Sequence, residues 1–382
     1  MQFVTAATLN FVPNPDASGL SGVFLAPDKL AAIEADWRDL WANAVEKNPF
    51  YAPFMLRPAL AHLGADDVLL ACVYDGPLLV GVLPLAPERG YARLPLRYLA
   101  SVMHEHCFYA APLVRRGHEA AFFDMLFSML EKHPARFSFL RLRHIDPDGP
   151  LALAALGAAK RARRLAFASG GFERAALAGE YRAADYIDDT IRKKKRKELA
   201  RLRRRLEEAA GPVRFHRLDG ADDLGIWTSM FLLLENAGWK GREGSAIAAS
   251  RASTQFFREA LKAAFAAGAL RFYRLDAGPD TIAMIVNFID SGEGYSFKIA
   301  YAPRFARYSP GVMLEIDMLK ALEGEGLKFL DSCARADHPM INSLWTGRRR
   351  IVGLNIGGRR PLDRAALSAA RALEWAREGA AR

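Results

Sequence analysis

The segment Tyr301–Leu314, YAPRFARYSPGVML, limits what this chain can fold into more than any other stretch. It follows two apolar, strand-like runs and opens an amphipathic one, so it reads as strand, turn and helix. A turn of this kind frees backbone N–H groups, and the helix N-terminus adds about half a positive charge. Pro310 suits the first helical turn, where its missing N–H has no intrahelical partner anyway. Gly311 admits a ligand close to the backbone, and Arg304 and Arg307 bring charge. The segment is suited to hold phosphate, such as the pyrophosphate of a nucleotide-like cofactor.

The rest of the chain frames that unit. Residues 1 to about 27 carry Pro13, Pro15 and Gly19 and read as an irregular lead-in arm. Spacings of three and four predict helices over 28–46, 53–62 and 118–132. Strand-like runs fall at 68–74, 78–85, 96–100, 137–142 and 164–168, with a short helix over 150–156. The second half repeats this order. A strand at 213–217 precedes helices over 222–237 and 253–266. Three strands follow at 270–275, 281–289 and 295–300, joined by short turns. A helix over 312–323, strands at 328–332 and 351–355 and a helix over 365–378 complete the order. Between the halves, 175–210 reads as one long helix with Ile187, Ile191, Leu199, Leu202 and Leu206 on its apolar stripe. Antiparallel meanders followed by strand–helix–strand give an α/β fold with mixed, mostly antiparallel sheets flanked by helices.

The chain has 382 residues, 51% apolar and 25% charged, enough for two globular domains. Its three cysteines, Cys72, Cys107 and Cys333, form no CxxC pair, which fits a reducing cytoplasm. No secretory leader is read at the N-terminus. The longest apolar stretch, 68–86, is broken by Asp75-Gly76-Pro77, so no transmembrane segment is expected. The net charge of +10 is concentrated: Arg192–Arg205 holds ten basic residues and one Glu, a sum of +9, which leaves +1 elsewhere. Such a run is either a solvated helix face or a patch for RNA, anionic lipid or phosphate. His104-Glu105-His106-Cys107 looks metal-like. On a strand, however, Cys107 faces away from both histidines, so no metal site is expected. Cys333 with His338 lacks an oxyanion-forming motif and reads as an inert thiol.

The second half resembles the GNAT (Gcn5-related) acyltransferases in element order and in its phosphate-holding turn. More narrowly, the chain resembles the tandem-GNAT group of FemABX peptidoglycan transferases and BioF2-like or CelD-like acetyltransferases. The residues carrying this are KKKRKELARLRRRLEE, Trp239-Lys240-Gly241 and YAPRFARYSPGVMLEIDML, with HEHCFYAAPLV in the first half. The resemblance spans about residues 30–360. Most GNAT proteins carry Q/R-x-x-G-x-G/A in the turn; here Ala306–Gly311 keeps only the last glycine and the flanking arginines in register. The implied plan is a degenerate GNAT-like domain over 28–170, a basic linker helix over 171–211, a GNAT domain over 212–360 and a C-terminal helix over 361–382.

The resemblance also implies roles. Acetyl-CoA or another acyl-CoA is the expected donor, held by Ile299, Ala300, Arg304, Arg307, Tyr308, Ser309, Pro310, Gly311 and Val312. Backbone N–H groups at a break in the strand 295–300 would polarise the acyl carbonyl. Tyr301 is the candidate acid for the leaving thiolate, with a core tyrosine as the alternative. Asp331 is a candidate base or a turn residue, and His338 a candidate base or a surface histidine. Lys298 either lines the cleft or snorkels to the sheet edge. Trp239, Lys240 and Trp345 would wall the acceptor site. The acceptor would be a small-molecule or glycan amine. Two alternatives remain open: an aminoacyl-tRNA-dependent FemABX-like transferase that uses Arg192–Arg205, and a non-catalytic acyl-CoA-binding protein. A homodimer is also open.

Overall fold

The computed structural model describes residues 19–64, 66–179 and 181–380. By its contacts the chain divides into two compact units. Among the described residues, unit 1 takes those up to Leu60, Gly64–Phe172 and those from Arg350 onward; unit 2 takes Ala61–Leu63 and Glu173–Arg349.

As far as β7, the elements are β1 (Leu20–Leu25), α1 (Glu34–Ala42), α2 (Pro53–His62), β2 (Leu69–Asp75), β3 (Leu78–Tyr91), β4 (Leu94–Ser101), β5 (Leu113–Val114), α3 (Glu119–Lys132), β6 (Phe139–Ile145), α4 (Pro150–Arg161) and β7 (Ala166–Ala178). Then come α5 (Ala183–Thr190), α6 (Lys193–Ala210), β8 (Val213–Arg217), α7 (Ala221–Ala237), α8 (Trp239–Arg242), α9 (Arg251–Ala266), β9 (Leu270–Ala277), β10 (Asp280–Asp290), β11 (Glu293–Tyr301), α10 (Pro310–Leu322), β12 (Phe329–Asp331), α11 (Pro339–Asn342), β13 (Gly347–Gly357) and α12 (Pro361–Ala380). The chain leaves unit 1 within β7 and returns to it within β13.

The two units share one strand order. In unit 1, β1–β4 form an antiparallel meander and β6 then runs parallel to β4. In unit 2, β8–β11 form the meander and β12 runs parallel to β11. Each parallel pair needs a crossover, which α3 and α10 supply. The β10–β11 hairpin turns through Ser291 and Gly292, both with positive φ (52° and 82°), the geometry of a two-residue primed turn. A side chain at Gly292 would also strike the Gly326 carbonyl.

The core of unit 2 gathers Tyr273, Ile285, Met313, Leu314, Met318, Leu344 and Trp345 between its sheet and α10. Full burial of each such side chain contributes about 1.5–3 kcal/mol. A smaller cluster in unit 1 packs Tyr91, Tyr98 and Phe139 with Leu367 of α12.

Three sequence expectations need correction. Part of the expected arm is strand β1, paired residue for residue with β2; residues 1–18 lie outside the described residues. Gly22 hid this strand from pattern reading. It is there because Met129 packs where its side chain would be, the usual meaning of a strand glycine. The continuous helix over 175–210 is instead the end of β7 followed by α5 and α6. The helix-favouring alanines Ala176 and Ala178 are drawn into pairing with β12, so tertiary contact overrides propensity. The His104–Cys107 segment is a turn rather than a strand, closed by the Cys107 N–H donating to the His104 carbonyl at 2.9 Å. Among the described residues, no helix is long and apolar enough to cross a membrane.

Candidate active site

The site of unit 2 is built on β11. This strand pairs with β12 only through Glu293, Gly294 and Tyr295. From Ser296 to Tyr301 the edge facing away from β10 has no strand partner among the described residues. The pairing with β10 shifts register between Val286 and Asn287, opposite Lys298 and Ser296, so Phe297 is an extra residue on β11. Such a bulge twists the strand and re-aims its backbone groups. An open strand edge with a bulge presents peptide N–H groups to a ligand lying beside it.

The strand runs on into a 3-10 turn, Pro303–Tyr308, and then into α10. Between them Ser309 adopts the left-handed conformation (φ 57°, ψ 51°), and Pro310 opens the helix. Val312 and Met313 donate to the Ser309 carbonyl at 3.1 and 3.2 Å. Pro310 has no N–H, so Gly311 is the first-turn donor left without an intrahelical partner. Arg307 stacks on Tyr308 at 4.7 Å and donates to its hydroxyl at 2.7 Å. Arg304 pairs with Asp280 and lies over Phe305. Both arginines thus carry their charge along the turn, beside the helix N-terminus.

A cavity of about 170 Å³ lies where β11 ends, lined by Ile299, Ala300 and Tyr301 on one side and Glu235, Trp239 and Lys240 on the other. Glu235, which the sequence did not single out, organises the second wall. It is 3% exposed. One carboxylate oxygen binds Lys240 Nζ at 2.8 Å and the other accepts the Ile247 N–H at 2.9 Å. An acid near the end of a predicted amphipathic helix, five residues before a lysine, was the available signal. Trp239 is half exposed at the mouth, and Tyr301 stands over Gly311.

Residues 193–338 match the sequence profile described as an acetyltransferase (GNAT) domain. Unit 2 therefore carries a GNAT acetyltransferase domain, and the protein is an acyltransferase. No curated protein matches the sequence. Among solved structures the chain is similar to FemX, at TM-score 0.55 and 10% identity over 88% of this chain and 96% of that one. It is similar to L-PGS from Bacillus licheniformis, at TM-score 0.50 and 14% identity over 90% and 96%. A conserved protein of unknown function from Bacteroides thetaiotaomicron gives 0.50 and 10% over 88% and 99%. At these identities the likeness is one of fold.

Within the GNAT domain the expected side chains do not all converge. Ile299, Ala300, Tyr301, Trp239 and Lys240 line the cavity, and the Tyr308–Val312 turn adjoins it through Gly311. Asp331 does not face it. Its carboxylate is fully buried, bound by Arg174 (2.6 and 2.7 Å), by Arg349 (3.0 Å) and by the Cys333 N–H (2.8 Å). Although burial opposes ionisation, the two guanidiniums hold Asp331 below the usual carboxylate range. A carboxylate so committed is structural, not a base. Trp345 is completely buried in the core and walls no acceptor site. Lys298 is half-buried with Nζ 5.4 Å from the Phe297 ring, and it does not line the cavity. His338 caps α11, its Nδ1 accepting the Ile341 N–H at 3.4 Å. That bond puts the proton of the neutral ring on Nε2, making His338 a donor rather than a base. Burial lowers its pKa and so favours this neutral form.

Proposed function

We propose that the protein transfers an acyl group from acyl-CoA to an amine. The single observation that carries this is the open, bulged edge of β11 running directly into the Ser309–Gly311 turn. A thioester beside that edge would direct its carbonyl oxygen at the backbone N–H groups around Phe297, while its pyrophosphate meets the Gly311 N–H and the arginine-flanked start of α10. The amine, held against Trp239 and Lys240, attacks the carbonyl carbon; the C–S bond breaks, and Tyr301 gives the thiolate its proton and takes one back from solvent. Glu235 is the one carboxylate lining the cavity among the described residues, and Lys240 already holds it. The amine therefore releases its proton to solvent. In this reading unit 2 holds the donor.

The deciding experiment is calorimetric titration with acetyl-CoA. Wild type should bind, and Gly311→Ala should bind about tenfold more weakly, a loss of about 1.4 kcal/mol. Absence of acetyl-CoA binding would overturn the reading. Binding without turnover on any amine would leave an acyl-CoA-binding protein.

A second reading keeps the fold and changes the donor to an aminoacyl-tRNA. One observation favours it. Of the ten basic residues at 192–205, Arg192, Lys193, Lys194, Lys197 and Arg205 are exposed and form no salt bridge among the described residues. Arg196, Arg201, Arg203 and Arg204 are paired, and Lys195 donates to Ser343.

A further inference from the structure

A second cavity, of about 360 Å³, lies wholly within unit 1 among β6, β7 and β13, apart from the acyl-transfer site. Three strands lose regularity around it. β6 and β13 shift register so that Arg143 and His144 together oppose Gly353. His144 adopts a left-handed conformation (φ 41°), as does Gly170 on β7 (φ 56°). For a residue other than glycine this conformation is strained, and such strain concentrates where a site needs it.

The charges around the cavity are one-sided. Arg141, Arg143 and His144 line it, and among the described residues no Asp or Glu does. Arg143 is already spent: it donates to both oxygens of Glu88, which also accepts from the Tyr98 hydroxyl at 2.6 Å. Arg141 has no carboxylate partner among the described residues. Its guanidinium lies 4.7 Å over the ring of Tyr91. That ring is fixed in turn, because the Tyr91 hydroxyl shares a buried network with Ser169 (3.0 Å) and Asn355 (3.2 Å). On its other side Arg141 Nη2 comes within 3.2 Å of where a side chain at Gly353 would begin. The guanidinium is therefore held in place, half-buried and unneutralised, against glycine-lined walls that let a ligand come close.

We propose that this cavity binds a carboxylate or phosphate group, with Arg141 as its bidentate partner. An anion here would give a partly desolvated cation the neutralisation the chain leaves out, through charge-assisted hydrogen bonds.

The test is calorimetry on the full chain with inorganic pyrophosphate in one arm and succinate in the other, which separates phosphate from carboxylate. Wild type should bind at least one probe. Arg141→Ala should weaken that binding tenfold or more. Arg141→Lys, which keeps the charge and loses the fork, should fall between. Neither variant should change acetyl-CoA binding. Failure of wild type to bind either probe, or equal binding by wild type and both variants, would overturn the site. If the anion result holds while acetyl-CoA does not bind, the anion site stands and the acyltransferase reading falls.

Discussion

Buried charge is the informative feature at the level of single residues. Asp331 sits between Arg174 and Arg349, and removing it takes a buried carboxylate away from two buried cations. Asp331→Ala should therefore destabilise the fold by about 3–5 kcal/mol in chemical denaturation. Loss of turnover at unchanged stability would instead restore Asp331 to the chemistry. Glu315 on α10 is the opposite case: it is 2% exposed, its Oε2 has no hydrogen-bond partner among the described residues, and burial raises its pKa from 4.5 to about 8. Between those values the folded chain keeps a proton that the unfolded chain has released, so its contribution to stability falls as pH rises through that window. The slope is about 1.4 kcal/mol per pH unit. Glu315→Gln removes the titration. Its stability advantage over wild type should grow from pH 5 to pH 8 in paired urea melts, and a constant difference would show that Glu315 does not carry it.

The decisive element is the β11–α10 connection, and here two kinds of information separate. Pro310 and Gly311 were legible because each residue type has a local backbone consequence, and α10 does begin at Pro310. The bulge at Phe297 and the parting of β11 from β12 were not, because a strand's pairing partner leaves no local mark. The same contrast explains the side chains. Asp331 and Trp345 had plausible sequence positions, yet one is locked in an ion cluster and the other in the core. Gly311 has ordinary φ, and a side chain there would meet Met340, Ile299 and Tyr301 at 3.6–3.9 Å, which is normal contact. Gly311→Ala should therefore melt no lower than wild type, since alanine favours a helix by about 1 kcal/mol over glycine. Weakened acetyl-CoA binding in that variant then reports on the ligand and not on folding.

At the level of the whole molecule, +9 of the +10 net charge lies in Arg192–Arg205, and five of the cations there form no salt bridge among the described residues. If they serve tRNA, affinity should fall by about two orders of magnitude between 50 and 200 mM salt, as roughly five phosphate contacts require. Filter binding over that range would measure it, and weak or salt-insensitive binding would remove the second reading. The α/β class, the meander followed by strand–helix–strand and the strand–turn–helix at residues 301–314 were determined by sequence alone. Each rests on periodicity and on residues with local backbone preferences. Tertiary structure alone decided that β7 and β13 each run from one unit into the other, that β11 parts from β12, and that Arg141 faces a cavity without an acid. These depend on which distant segments meet, and burial and pairing settle that only when the chain is folded.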